Sequence, residues 1–291
     1  MINKSPKMSR YDLLDNLVHK IYKFITYEDK RIIKILITNT PTNNIALLIN
    51  NIDKISEIIL RYVKNLRLKK DTNRQDFITE KILNFIYKVN PEIINTNIRV
   101  ADVGGGNGDI ISGITKKIRG NKENFICIET NSDWIESYSF NNKNIIYKFW
   151  NNYSIDITDN YCDIVLCMVS LHHMTNETII NSMREIYRIL KKGGLLLIKE
   201  HDSDCEETLK LIHWEHHLYH ILETSYNRKL TNAEEYLSHS INNFKSKYDW
   251  QMLIEGLGFE FNCRKDRFLD GPLKYDVKNA TKLYWDLYSK T

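Results

Sequence analysis

The apolar residues of this chain change their period at Ile98, and that change constrains the fold more than any other feature. Beyond it, short apolar runs at 98–103, 124–128, 145–149, 163–169 and 195–199 alternate with helical stretches. Runs of that length without polar alternation read as strands buried on both faces, and strand–helix alternation means βαβ units around a parallel sheet. Segments 260–263 and 282–288 read as further strands, placed to close the sheet with a terminal antiparallel hairpin. The pattern contains no internal repeat and no Pro-, Gly- or Ser-rich linker.

Before Ile98 the spacing is helical. Ser9 and Asp12 form a capping signal ahead of Leu13, Leu14, Leu17, Val18, Ile21 and Phe24. A second stripe runs through Ile45, Leu48, Ile49, Ile52, Ile55 and Ile59, after the turn at Pro41. A third is opened by Thr72 and Gln75, carries Phe77, Ile78, Ile82, Phe85 and Ile86, and is stopped by Pro91. The expected organisation is a helical accessory or lid region at 1–74 and an α/β domain at 75–291. The helical stripes need a partner surface, so the accessory region is expected to fold against that domain.

With 42% hydrophobic residues and only 11 glycines and 4 prolines, a packed core is available and collagen-like or disordered classes are excluded. No apolar run approaches the ~18–20 residues of a membrane span, and the N-terminal lysines are not followed by a secretory apolar stretch. Five cysteines, odd in number and without a CxxC pair, suit free thiols in a reducing compartment, so a cytoplasmic protein is expected. Residues 1–98 carry 17 Lys+Arg against 10 Asp+Glu, and the remainder 24 against 27. The basic flank is either a set of solvated helix faces or a surface for an anionic partner such as RNA.

The sharpest chemical signal is Val100-Ala101-Asp102-Val103-Gly104-Gly105-Gly106-Asn107-Gly108-Asp109, where a strand ends and a helix begins. Glycines there allow a sharp turn and close approach of a ligand to a helix N-terminus. The dinucleotide fingerprint needs glycine where Asp109 stands, and a carboxylate would repel a pyrophosphate, so NAD and FAD are disfavoured. Glu129 lies at the tip of the next strand, where a carboxylate can accept from both hydroxyls of a ribose.

These segments, in this order, resemble the class I S-adenosylmethionine-dependent methyltransferases, particularly the group called type 11. The resemblance covers roughly residues 75–291. It rests on Asp102-Val103-Gly104-Gly105-Gly106-Asn107-Gly108, on Glu129, on Cys162-Asp163-Ile164-Val165-Leu166-Cys167 with Leu171-His172-His173, and on Leu190-Lys191-Lys192-Gly193-Gly194-Leu195-Leu196-Leu197-Ile198. It implies a Rossmann-like sheet of seven mostly parallel strands with S-adenosyl-L-methionine across their carboxyl ends. Asp102, Gly104, Gly106 and Gly108 are then implied around the methionine part and Glu129 at the ribose. Asn151 is implied at the adenine, at a position where family members often carry an acid, with Asn152 and Asp156 close by.

Methyl transfer to oxygen or nitrogen needs an aligned nucleophile and a proton acceptor. The carboxyl edge of the sheet offers His201 or Glu200 as base, His173 as a further candidate, and His172 and Asp202 as pocket residues. His213, His216, His217 and His220 share a helical face; without a cysteine pair or a second element this reads as a pocket wall, with His217 and Tyr219 lining it and residues 244–250 completing it, and no metal is expected. All four prolines stand alone and none precedes a cysteine, so the Asn/Asp-Pro-Pro-aromatic and Pro-Cys signatures of DNA-base methyltransferases are absent. The Lys-Asp-Lys-Glu set of cap 2′-O-methyltransferases is not evident. The expected function is methyl transfer to an O or N atom of a small-molecule acceptor, with no membrane partner. The alternatives are an RNA methyltransferase using the basic helices and a non-catalytic partner subunit of the same fold.

Overall fold

The computed structural model describes residues 25–39, 45–63, 74–93, 97–118, 120–139, 142–206, 208–209, 212, 216, 243–268 and 283–291. The first stripe, Leu13 to Phe24, and His213, His217, Tyr219 and His220 lie outside the described residues. Three helices come first: α1 (Tyr27–Thr38), α2 (Ile45–Val63) and α3 (Arg74–Val89). There follow β1 (Val100–Val103), α4 (Asp109–Lys117), β2 (Phe125–Glu129), α5 (Ser132–Ser139), β3 (Ile146–Phe149), β4 (Cys162–Met168), α6 (Asn176–Ile189), β5 (Leu190–His201), α7 (Lys247–Glu255), β6 (Phe259–Phe268) and β7 (Leu283–Lys290). No described helix is long and apolar enough to cross a membrane.

The strands form one sheet in the order β3-β2-β1-β4-β5-β7-β6. The first five are mutually parallel, and β7 runs antiparallel between β5 and β6. The seven-stranded, mostly parallel sheet and its terminal antiparallel pair therefore match the expectation from the sequence. Strand β5 is longer than the apolar run 195–199. Leu190 pairs with Cys162 and Leu195 with Ile164, and the register shift between them takes up Gly193 at φ 74. A residue with a free backbone is needed there to absorb the extra chain, so the two glycines form a bulge inside the strand.

Two compact units are present. The sheet unit comprises Asn73–His201, Ile241–Phe268 and Leu283–Thr291, whereas α1, α2 and the described residues of 202–216 belong to the other. Within the sheet unit alternate residues divide between two apolar layers, as pleating requires. Ala101, Ile126, Val165, Leu196 and Tyr288 pack with Met183 and Ile186 of α6 and with Trp250 and Ile254 of α7. Val100, Cys127, Ile164, Leu197 and Trp285 pack with Ile82 and Ile86 of α3 and with Ile111 and Ile114 of α4. Helix α3 is thus a covering helix of the sheet, and its Phe85 meets Trp285 edge to face at 5.9 Å.

Helix α1 was not legible from apolar spacing, because Tyr27, Ile32 and Ile35 on it are exposed. Its start was encoded in a cap: the Thr26 hydroxyl accepts the Asp29 N–H at 3.1 Å. Asp29 in turn is held by Tyr62 and Arg61 of α2.

The antiparallel end of the sheet carries one buried ion pair. Asp286, at the middle of β7, is fully buried and accepts from Arg264 of β6 through both oxygens, at 2.7 and 2.6 Å. Tyr288 donates to the same carboxylate at 2.9 Å, and Arg264 also reaches the Lys247 carbonyl at the start of α7. Burial pushes the Asp286 carboxyl up, and the guanidinium opposes that shift. Removing the cation alone strands a buried charge, so Arg264→Met is expected to destabilise the protein by about 3–5 kcal/mol. Urea unfolding checks this, and a loss below about 1 kcal/mol would mean that the pair is dispensable.

Candidate functional site

Strand β1 delivers the glycine turn to the carboxyl edge of the sheet. The N–H groups of Gly104 and Gly105 both donate to the Ile128 carbonyl at the tip of β2, at 2.9 and 3.3 Å. Gly104 has φ 70, and a Cβ there would lie 2.6 Å from that of Ser170. The turn accordingly lies directly against the segment leaving β4, and the Ser170 hydroxyl donates to the Val103 carbonyl at 3.0 Å. Gly108, at φ 73, precedes α4, where a Cβ would stand 2.6 Å from the Tyr147 hydroxyl oxygen. That hydroxyl donates to the Asn107 carbonyl at 2.7 Å. The Asn107 side chain closes the turn, accepting the Asp109 N–H and donating to its carboxylate.

Two acids flank the turn. Glu129 is buried at the tip of β2, accepting the Gly106 N–H at 3.0 Å on one oxygen and the Thr130 N–H at 2.7 Å on the other. Asp102 is buried beneath the turn, and neither of its oxygens has a hydrogen-bond partner. Burial, reinforced by the nearby charge of Glu129, pushes its carboxyl up to about 8. Two acids and no cation at one glycine turn, among the described residues, disfavour a pyrophosphate; they suit a ligand presenting hydroxyls, an amino group and a positive centre.

Strand β3 ends at Phe149, and the chain returns through a bridge between Trp150 and Ile155. The Trp150 N–H donates to the main-chain carbonyl of Glu129 at 3.0 Å. Asn151 is therefore beside β2 at the same edge, exposed, with its carbonyl oxygen accepting the N–H groups of Tyr153 and Ser154, each at 3.0 Å. Asp156 is paired with Lys148 at 2.6 Å.

The ends of β4 and β5 bring the histidines together. Val169 leaves β4 with φ 59, an uncommon conformation for a β-branched residue, and its N–H donates to the Lys199 carbonyl at 2.7 Å. The following turn, residues 171–173, places His172 against Glu200. His172 Nδ1 and Glu200 Oε2 are 2.6 Å apart, and both side chains are fully buried. The other Glu200 oxygen accepts the Leu171 N–H at 2.9 Å. Phe244 stacks on His172 at 4.7 Å, His201 stands edge-on to it at 5.4 Å, and the ring of exposed His173 lies 4.1 Å away, tilted to it. The His201 imidazole is held well below its ordinary range, first by burial and then by His172, Lys199 and His173. Asp202, the next residue, is also buried.

The structure thus gathers Glu200, His172, His173 and His201 into one group, and Asp102, Gly104, Gly106, Gly108 and Glu129 into another. Asn151 stands at the β3 end. Sequence reasoning missed Tyr147 and Ser170, which fix the turn. An aromatic within a strand reads as core, and a lone serine after a strand carries no signal.

Asp102 has a testable signature. Its folded value lies above the ~3.9 of an unfolded chain, so between those limits the native state keeps a proton that the unfolded chain releases. Stability therefore falls as pH rises through this window, by up to ~1.4 kcal/mol per unit, and levels off above pH 8. Asp102→Asn is expected to raise the melting temperature of the cofactor-free protein more at pH 8 than at pH 5. Equal shifts at both values would refute the assignment.

Comparison with known proteins agrees with this geometry. A methyltransferase-domain family model matches residues 71–260. The ubiquinone/menaquinone biosynthesis C-methyltransferase UbiE of Vibrio cholerae is 26% identical over 170 residues, 56% of this chain and 64% of the relative. The UbiE protein of Rickettsia prowazekii is 27% identical over 179 residues, covering 58% and 71%. This chain spans less than two thirds of the Vibrio relative. Among solved structures, the [4+2]-cyclase SpnF superposes with a TM-score of 0.52 at 13% identity, covering 74% of this chain and 81% of that one. That likeness speaks to the fold alone. With a matching family model over most of the sheet unit, an acid-flanked glycine turn and the seven-stranded sheet, the chain belongs to the methyltransferase-domain family.

Proposed function

We propose that the enzyme methylates a small-molecule acceptor at an oxygen or nitrogen whose proton is taken by the histidine group at the ends of β4 and β5. The observation that carries this reading is the buried His172–Glu200 pair, set beside His201 at the edge that bears the glycine turn.

S-adenosylmethionine, when bound, supplies a methyl group already activated on a sulfonium. The acids at the turn suit it: Glu129 has lone pairs left for a ribose diol, and Asp102, which keeps its proton while buried alone, would be favoured to ionise beside a cationic ligand. The chain's remaining task is to hold the acceptor and take its proton. With Glu200 as the acceptor, the His172 ring proton sits on Nδ1 and the lone pair on Nε2. Burial disfavours the charged form of His201, so the ring is neutral and its unprotonated nitrogen can accept a hydrogen bond from the acceptor, with the proton passed on rather than kept there. Phe244, stacked on His172, limits the freedom of that ring.

A second reading places the methyl group on carbon, which the relatives' name, C-methyltransferase, favours. Ionising a ring hydroxyl with the same histidines would raise electron density on the neighbouring carbon.

Calorimetry with S-adenosylhomocysteine is expected to give micromolar binding, about −8 kcal/mol, weakened at least tenfold by Glu129→Ala; unchanged affinity would move the ribose contact elsewhere. Methyl-labelled cofactor offered with hydroxylated aromatics, amines and RNA is expected to label a small molecule at O or N. His201→Phe should lower that transfer by 10²–10⁴-fold with S-adenosylhomocysteine affinity within threefold. Carbon-bound label, read by NMR, would select the second reading. Salt-sensitive label in RNA would overturn both.

A further inference from the structure

One arginine of helix α6 makes three hydrogen bonds to the segment 150–159. Arg188 donates from Nη1 to the Ile157 carbonyl at 2.7 Å and to the Asp159 carboxylate at 2.7 Å. Its Nη2 reaches the Ile155 carbonyl at 2.8 Å. Glu185, one turn earlier, grips the same guanidinium through both oxygens at 2.9 and 2.7 Å, and also accepts the Ile155 N–H at 2.7 Å. The main chain adds to this, since the Asn160 and Tyr161 N–H groups donate to the Arg188 and Ile189 carbonyls.

Ile155 is the hinge of the arrangement. It bridges to Trp150, and the Trp150 N–H donates to the carbonyl of Glu129. A continuous set of hydrogen bonds therefore runs from Arg188 through Ile155 and Trp150 to the residue assigned to the ribose. Asn151 sits inside this closed segment, and its carbonyl is committed to Tyr153 and Ser154. The segment after β3 is the neighbour of Glu129 on the side away from the glycine turn of β1, so it offers a surface to the base of a nucleoside whose ribose is held at Glu129.

We propose that Arg188, with Glu185 as its counter-charge, is a positioning residue for the base end of the cofactor: it touches no ligand and fixes the segment 150–159 on which the base lies. The inference rests on the placement of the ribose at Glu129. A guanidinium suits the task because its planar fork serves two carbonyls and two carboxylates at once, which an ammonium cannot do.

The test uses the full chain and needs no acceptor. Calorimetric affinity for S-adenosylhomocysteine and for adenosine is measured in the wild type, Arg188→Ala and Arg188→Lys, with amide hydrogen exchange followed in parallel. Arg188→Ala is expected to weaken both ligands by about tenfold and by the same factor, since the lost order concerns the nucleoside alone. Exchange should rise within 150–159 and stay unchanged in β1 and β2, and Arg188→Lys should recover part of the affinity. Arg264→Met, which disturbs the far end of the sheet, serves as a control for lost stability and should leave affinity within twofold. The proposal is overturned if 150–159 loosens with affinity intact, or if Arg188→Ala weakens binding no more than Arg264→Met. Wild-type protein that binds neither ligand would instead overturn the cofactor site itself.

Discussion

The turn at Gly104 is the junction on which the functional edge depends. Two consecutive N–H groups converge on the Ile128 carbonyl, while the Val103 carbonyl is taken by the Ser170 hydroxyl. The ends of β1, β2 and β4 are thereby tied at one point, and the absence of a side chain at Gly104 lets β4 come that close. A parallel sheet makes this economical, because all its central strands finish at the same edge. The acids of β1 and β2 and the histidines of β4 and β5 are neighbours through topology, although they are spread over a hundred residues of sequence.

The two groups are electrostatically different. Around the turn, carboxylates are buried without a cation, and one of them, Asp102, lacks any hydrogen-bond donor. At the ends of β4 and β5, a carboxylate is matched to an imidazole in a fully buried pair, and the neighbouring His201 is kept neutral. The first environment favours positive charge arriving from outside; the second disfavours added positive charge on His201.

Much of this was legible in the sequence. The seven strands, the glycine turn and Glu129 follow from period, spacing and strand tips, because buried parallel strands impose a strong local pattern. What was not legible depends on long-range contacts. Glu200 stood out only as a candidate base, yet its oxygens are shared between the Leu171 N–H and His172, 29 and 28 residues away in sequence. Arg188 was not singled out at all, because its partners Ile155, Ile157 and Asp159 lie 33, 31 and 29 residues away in sequence. The extension of β5 back to Leu190 was also not legible, because the two glycines before the apolar run 195–199 mask a strand that continues through a bulge.

The position of β7 between β5 and β6 has a consequence for assembly. Strand β6 precedes β7 in the chain, but among the described strands β7 is its only sheet neighbour. During synthesis, β5 therefore presents an open edge and β6 has nowhere to dock until residues 283–290 have emerged. The sheet is completed from the inside outward rather than in chain order. That leaves a nascent protein whose hydrogen-bonding edge is exposed while the long non-local pairing is still to form, a state in which chaperones and aggregation compete with folding.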